Sequence, residues 1–173
     1  MKREAWESSS ENAKRLTIGD FGIHEDVCEM ARPVRFAGDR YEAAVILKEI
    51  AAKGPLVNGQ GLSVTLSSDS RGKIVSSKAL NTSYGQKAHF LAVANLDKLF
   101  CNSIEPWEYE LNPNKNNTDL KGRRYLYAPL EFEGKIIPVK MTVREYNDEA
   151  LGKRLYSVEA IDVEIKKIGP LVC

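Results

Sequence analysis

The sequence predicts an α+β protein in which N-terminal helices pack on a C-terminal antiparallel sheet. The first observation is that apolar residues between positions 123 and 167 alternate with polar ones at a spacing of two, which is typical of strands with one buried face. The second is that apolar residues within 39–54 and 86–101 recur at helical spacing. These patterns predict a three-strand meander, preceded by two main helices and one earlier strand.

The first main helix has clear start and stop signals. Asp39 can accept hydrogen bonds from the first free backbone amides, and Glu42 can reach back toward the cap. Gly54 and Pro55 indicate its end. We therefore expect a helix from Asp39 to about Lys53 that packs on the sheet.

The segment after this helix contains the earlier strand and the second helix. Alternating apolar residues in Gly61–Ser67 predict the strand, and Lys73–Leu80 fits either a short helix or a docked loop. The second helix is predicted from about Gln86 to Cys101. Four of its residues share one face: His89, Val93, Leu96 and Phe100. Residues 104–122, rich in Pro and Asn, predict a long exposed loop.

The meander is the most regular part of the sequence. Glu133-Gly134 separates the first two strands and fits a tight hairpin turn, while the polar run 146–153 separates the second from the third, Leu155–Ile165. The second strand presents one aliphatic face, with Ile137, Val139, Met141 and Val143, and one polar face, with Lys140, Thr142 and Arg144. We expect the aliphatic face to receive the helices and the polar face to be solvated.

The chain is divided into three parts by these patterns. Residues 1–38 are an N-terminal arm without a sustained period, expected to be partly disordered or to form a short helix around Glu25–Ala31. Residues 39–168 form a single α+β domain, and residues 169–173 are a tail.

Composition limits the classes of function. Lys and Arg total 25 against 24 Asp and Glu, so the formal net charge of +1 gives no general attraction to nucleic acid, and any such binding must be local. Three widely spaced cysteines lack the spacing of a zinc site and are interpreted as free thiols or incidental residues. Without a signal peptide or a membrane-spanning segment in the sequence given, a cytoplasmic protein without membrane contact is expected.

The candidate chemistry needs no metal and no cofactor, because the sequence contains no metal-ligand cluster, phosphate-binding loop, dinucleotide fingerprint or serine elbow. His89 is the better of two histidines, since it can titrate near neutrality in the first turn of a helix. An equally good interpretation is that His89 is a packed, hydrogen-bonded residue at the edge of the core. Lys140 and Arg144 share a strand face with Thr142 and could converge on one phosphate. Simple solubility of an exposed strand face explains this pattern equally well.

Further polar residues flank this strand in the predicted sheet. Arg124 and Tyr127 lie in a basic segment with aromatic planes on which a base could stack, although tyrosines inside a sheet would show the same pattern. Tyr156 and Ser157 open the third strand and could supply a hydroxyl beside Arg144. A helix docked on the aliphatic face would, however, put His89 opposite Lys140 and Arg144, so one site can contain all three only at the rim of the sheet.

The order of elements resembles a known family. The stretches that carry the resemblance are GKIVSSKAL, AHFLAVANLDKLFCNS, YLYAPLEFEGKIIPVKMTVREY and RLYSVEAIDVE. They are similar to the third large polyvalent protein-associated domain of phage and mobile-element polyproteins, grouped with the barnase/EndoU/colicin/RelE-like nuclease fold. The resemblance covers roughly residues 40–167 and implies a barnase/RelE-like α+β fold.

The resemblance also implies metal-independent RNA cleavage or RNA binding. Carried onto this sequence, His89 would be the base or acid, Lys140 and Arg144 would hold the phosphate, and Thr142 or Tyr156 would be supporting donors. The patterned region has no second histidine, which excludes a pair of imidazoles. The alternative is a catalytically inert accessory module of a phage polyprotein that binds protein or nucleic acid. The candidate partners are therefore RNA or a protein, including an immunity protein.

Overall fold

The computed structural model describes residues 13, 15–107, 110–111 and 120–165, and the fold is α+β as the sequence predicts. The helices are α1 (Ile18–Phe21), α2 (His24–Ala31), α3 (Arg40–Ala52), α4 (Ser68–Ile74), α5 (Ser77–Thr82), α6 (Gly85–Ala94) and α7 (Leu96–Cys101). The strands are β1 (Leu56–Val57), β2 (Ser63–Val64), β3 (Glu110–Leu111), β4 (Leu120–Phe132), β5 (Lys135–Tyr146) and β6 (Lys153–Ala160).

The main sheet is antiparallel, with the strand order β3-β4-β5-β6. Its central hairpin turns at Glu133 and Gly134, whose φ angles of 50° and 79° are both positive. Two successive positive φ values match the right-handed twist of the flanking strands. The hairpin expected at this pair is confirmed.

One face of the sheet is buried under helices α3 to α7. The aliphatic side chains of β5 that were assigned to the core, among them Val139 and Met141, are fully buried there. At the start of α3 the Asp39 side chain accepts from the Glu42 amide at 2.8 Å, as expected, while the Glu42 carboxylate accepts from Gly38 N at 2.7 Å. These bonds satisfy otherwise free amides at the helix start.

The other face of the sheet is not simply solvated, contrary to the expectation from alternation. A second apolar cluster covers the end that contains Tyr127 and Ile136. Its other members come from the arm and from the segment after β6: Ala13, Leu16, Ile18, Phe21, Val27, Cys28, Ala31, Ile161 and Ile165. Apolar residues of the arm that showed no period, among them Ile18, Phe21 and Val27, are buried through this contact, whereas Ile23 and Phe36 stay exposed. Helix α2 lies where a short helix was expected.

The arm is fastened to the helical layer by hydrogen bonds around Asn95. The Asn95 Oδ1 atom accepts from the amides of Val34 and Arg35 at 2.7 and 3.0 Å, and its Nδ2 donates to the carbonyls of Arg35 and Leu91. A bidentate ion pair between Arg35 and Asp97, at 2.6 and 2.8 Å, reinforces the junction. It lowers the pKa of Asp97 and raises that of Arg35.

Asn95 also corrects the predicted second helix. The expected single helix is two, α6 and α7, because Asn95 has φ −115° and ψ 22° and its side chain bonds to the arm. The apolar pattern continues across this break, which is why the sequence predicts one helix. All four residues assigned to the shared face are nevertheless buried.

The earlier strand is shorter than predicted. Within Gly61–Ser67, only β2 is a strand, and it pairs with β1 in a separate two-stranded sheet. Thr65 contributes a single parallel bridge to Arg154 of β6. The third strand of the meander ends at Ala160, before the expected Ile165. Of the predicted 104–122 loop, Glu110–Leu111 forms β3 and Leu120 already begins β4, while residues 112–119 lie outside the described part.

The cysteines and the helix lengths bear on the remaining expectations. Cys101 is free and exposed, whereas Cys28 is disulfide-bonded, so the interpretation as a free thiol is wrong for Cys28.

No helix in the described residues has the length and apolar character needed to cross a bilayer. The cytoplasmic location stays a prediction.

Candidate binding site

His89 lies in the helical core and not in a cleft. It is 0% exposed, and both ring nitrogens are engaged: Nδ1 lies 2.6 Å from Ser83 Oγ, and Nε2 lies 2.7 Å from the Ile74 carbonyl oxygen. A carbonyl only accepts, so Nε2 carries a proton and donates it. Because Ser83 Oγ also accepts from Ala160 N at 3.1 Å, the hydroxyl is free to donate to Nδ1. The neutral imidazole thus completes a chain from β6 to the end of α4.

Burial lowers the pKa of His89, and the bond to the Ile74 carbonyl opposes this only partly. A neutral ring with both nitrogens bonded has no nitrogen left for a substrate. The arrangement matches the packed, hydrogen-bonded alternative considered for this residue.

Four other candidates line neither the cleft nor the groove described below. Arg124 pairs with Glu105 at 3.1 Å and with Glu145 at 3.5 Å. Tyr127 is 2% exposed inside the second apolar cluster, against Trp107. Thr142 and Lys140 lie on the same face of β5. Thr142 is 8% exposed, and the Lys140 ammonium lies 4.6 Å from the Tyr125 ring centroid.

Arg144 and Tyr156, by contrast, meet at the end of the sheet. The Arg144 guanidinium carbon lies 3.4 Å from the Tyr156 ring centroid, and the Lys73 ammonium lies 4.6 Å from the same centroid. A cation over an aromatic face is attracted by the ring quadrupole. We call the residues Lys73, Arg144, Arg154 and Tyr156 the Tyr156 cluster.

A small polar cleft of about 60 Å³ opens at this cluster. Beside the cluster residues, its lining consists of Ser67, Asp69, Ser70 and Tyr146. Within the described part of the chain, the ion pairs include none with Lys73, Arg144 or Arg154. The buried Arg144 Nε has no hydrogen-bond partner among those residues either. Three cations against one carboxylate make the cleft an attractive place for an anion.

A larger groove of about 330 Å³ adjoins the cleft and shares Lys73 and Tyr156 with it. One wall is β6 from Tyr156 to Glu159, and the other is the segment from Ser76 through α5, including Lys78, Ala79 and Thr82. Burial raises the pKa of Glu159, and the Lys140 charge partly opposes this. Glu159 therefore becomes protonated, and loses its negative charge, at a higher pH than an exposed glutamate does.

Tyr156 reaches the cluster because β6 contains a bulge. Thr142 of β5 pairs with Ser157 and Val143 pairs with Leu155, so Tyr156 is the extra residue between two paired ones. An extra residue interrupts the alternation of side chains and re-aims the one it carries. The neighbouring Ser157 lines the groove, whereas Arg144 lines the cleft, so the predicted hydroxyl of Ser157 beside Arg144 stays a prediction.

Of the residues predicted from the sequence, Arg144 and Tyr156 line the cleft and Ser157 lines the groove, while Lys73 and Arg154 were not among the predicted residues. Lys73 stands on a short helix that carries no motif, and Arg154 is the second residue of β6. Only contacts between distant segments connect them. A usable signal was the predicted alignment of Arg144 with the start of the third strand, which also contains Arg154. Among the described residues, no three His, Cys, Asp or Glu side chains are grouped to hold a metal ion.

Comparison with protein-family models gives a match. The sequence model of large polyvalent protein-associated domain 3 matches residues 38–156, more than two thirds of the chain. No curated protein and no solved structure matches. The matched range runs from the start of α3 to Tyr156 and contains both α4 and the Arg144 strand. The chain therefore belongs to the large polyvalent protein-associated domain 3 family.

Proposed function

We propose that this chain is a catalytically inert accessory module of a phage or mobile-element polyprotein, and that it binds an acidic segment of a partner protein at the Tyr156 cluster. The observation that carries the proposal is the convergence of Lys73, Arg144 and Arg154, without carboxylate partners among the described residues, beside an open groove. Carboxylates are the complementary ligands of such a cluster.

The geometry favours binding over RNA cleavage. Metal-independent cleavage needs a base within hydrogen-bonding reach of the ribose 2′-hydroxyl. His89, the residue expected for this role, is buried with both nitrogens bonded. The remaining cluster residues are cations and a tyrosine, which stabilise negative charge but are poor bases at neutral pH.

A protein partner fits the site better than RNA does. Bases bind to aromatic faces that are open for stacking, but the Tyr156 ring is already covered by two cations. The net charge of +1 gives little long-range attraction for any polyanion, so binding has to depend on the local cations of the Tyr156 cluster.

The proposal is tested by fluorescence anisotropy with two labelled probes, a hexaglutamate peptide and a twelve-nucleotide single-stranded RNA, both with chelator present. We expect binding of the peptide that weakens in Lys73→Glu and Arg154→Glu and falls with added salt. Lys48→Glu, an exposed lysine on α3, is the matched control and should bind normally.

If the RNA binds more strongly than the peptide, and this binding is lost in Arg154→Glu, the partner is RNA and not an acidic protein segment. The RNA is also run on a denaturing gel after incubation. Cleavage that persists with chelator and is lost in Lys73→Glu would overturn the inert assignment.

A further inference from the structure

We infer that the acidic segment carries a phosphorylated serine or threonine, and that the cleft at the Tyr156 cluster binds its phosphate group. This inference rests on the proposed function and names the chemical group that the site selects. A phosphate monoester has a charge of about −1.5 to −2 at neutral pH and three strong acceptor oxygens, whereas a carboxylate has a single negative charge and only two oxygens. The cleft distinguishes the two groups by charge and by size.

Two arginines lie directly opposite each other in the sheet. Arg144 of β5 pairs with Arg154 of β6, so their side chains leave the same face of the sheet about 5 Å apart. Like charges in this arrangement are destabilising. The ion pairs of the described residues include none with either arginine. An anion bound between the two guanidinium groups would therefore relieve their repulsion.

Both arginine side chains are already oriented by the protein. The Arg144 guanidinium lies over the Tyr156 ring, and Arg154 Nε donates to the Leu151 carbonyl at 3.0 Å. Within the described part of the chain, no hydrogen bond uses the terminal nitrogens of these two arginines. A guanidinium presents its donors in a planar fork that matches two oxygens of a phosphate. Since the forks are held in place beforehand, little side-chain freedom is lost when the anion binds.

The charge of the cleft matches a phosphate better than a carboxylate. Lys73 adds a third cation to the two arginines, and Asp69 is the carboxylate in the same lining. The cleft therefore has an excess of two positive charges. One carboxylate of a peptide would compensate only one of them, whereas a phosphate monoester in its dianionic form compensates both.

The size of the cleft fits a terminal phosphate group. A water-sized group needs about 10–15 Å³, so the volume of about 60 Å³ holds roughly four to six such groups. The four oxygens of a phosphate monoester fill this space, and the two oxygens of a carboxylate do not. An internal phosphodiester is a poorer fit, because its chain continues on both sides. The adjoining groove of about 330 Å³ can receive the peptide residues next to the phosphorylated one.

Three blocked, labelled peptides test the selection by fluorescence anisotropy. Two have the sequence Glu-Glu-X-Glu-Glu, with phosphoserine or serine at X. The third is hexaglutamate, whose charge of about −6 equals that of the phosphopeptide. We expect the phosphopeptide to bind about tenfold more tightly than hexaglutamate, because its phosphate can meet both arginine forks at once. The serine peptide should bind more weakly than either.

Arg123 and Arg154 provide a matched pair of variants. Both are half-buried and lie directly opposite Arg144, on β4 and β6, but only Arg154 lines the cleft. Arg154→Gln should reduce the preference for the phosphopeptide over hexaglutamate to less than about twofold, whereas Arg123→Gln, which removes the same charge, should retain it. Unfolding curves of both variants are compared with that of the wild type first. Equal loss of the preference in both would indicate general attraction to a basic surface and overturn the site.

Inorganic phosphate gives a readout that needs no peptide. A ligand that binds the folded state raises the unfolding temperature, so sodium phosphate should stabilise the wild type more than sodium acetate does at the same ionic strength. The difference between the two salts should disappear in Arg154→Gln. Equal stabilisation of the wild type by both salts would contradict the selection of phosphate over carboxylate.

The outcomes separate this inference from the function on which it rests. If hexaglutamate binds as tightly as the phosphopeptide and both lose affinity in Lys73→Glu, acidic binding stands and the phosphate selection is wrong. If none of the peptides binds, the proposed function and this inference fall together. If a twelve-nucleotide RNA with a 5′-phosphate binds more tightly than the phosphopeptide, and this binding is lost in Arg154→Gln, the phosphate belongs to a nucleic acid and the protein segment is wrong.

Discussion

The His89 network and the Tyr156 cluster are both polar, and both connect helices to β6, yet they have opposite properties. His89 is fully buried, neutral and saturated with hydrogen bonds. The Tyr156 cluster is partly open, cationic and without carboxylate partners among the described residues. Both ring nitrogens of His89 are used in hydrogen bonds within the fold, whereas the charged groups of the Tyr156 cluster are available to bind a ligand. Residue type alone favours His89 as the functional residue, because histidine is a common catalytic residue.

The two regions are also connected. The His89 ring lies within hydrogen-bonding distance of Ser83 Oγ, which accepts from the Ala160 amide at the end of β6. His89 therefore helps to hold the end of β6, the strand that also carries Tyr156. This arrangement predicts that the His89 network determines stability, whereas the Tyr156 cluster determines binding.

The largest expected effect is that of His89→Ala. It removes a buried ring and leaves the Ile74 carbonyl and the Ser83 hydroxyl without their partner, so the free energy of unfolding should fall by about 3 kcal/mol. Urea denaturation followed by circular dichroism measures this. An unchanged midpoint would mean that the ring is not packed as described.

Ser83→Ala should have a smaller effect. It deprives both His89 Nδ1 and the Ala160 amide of a bond but leaves only a small void, so we expect a loss of about 1–2 kcal/mol. Ser77→Ala, at an exposed residue of α5, is the control and should unfold almost as the wild type does. Equal losses in the two variants would contradict a special role for Ser83.

The pH dependence of stability tests the neutral state of His89. Its pKa in the folded protein lies below the ordinary value of 6.5, so the unfolded chain binds protons more readily. The stabilising contribution is therefore present above pH 6.5 and is lost as the pH falls through the folded pKa. Denaturation at a series of pH values should show this loss in the wild type and less of it in His89→Gln. If the free energy of unfolding depends on pH in the same way in both proteins, His89 is not the group responsible.

The smallest effect on stability is expected for Lys73→Ala. The side chain is exposed and has no ion pair in the described part, so the free energy of unfolding should change by less than about 0.5 kcal/mol. Binding of the acidic peptide should nevertheless weaken. A variant that loses stability and keeps binding would reverse the comparison between the two regions.

Local signals predicted most elements because their causes are local. The Asp39 cap, the Glu133-Gly134 turn and the buried aliphatic face of β5 depend on neighbours within a few residues, and all three are confirmed. The break at Asn95 could not be predicted, since its cause is a hydrogen-bonded contact with the arm some 60 residues away in sequence. Likewise, the burial of Tyr127 depends on the arm covering the second face of the sheet.

The sequence by itself determined the α+β class, the meander with its turn, the main helix cap and the family to which the chain belongs, because periodicity and capping depend on residue order alone. Only the tertiary structure decided which polar residues have bonding capacity left. His89 is buried in the core. The bulge in β6 places the Tyr156 ring against Arg144, and the packing of α4 on β6 places Lys73 over the same ring. Burial and the count of partners depend on contacts between distant segments, and no spacing in the sequence records them.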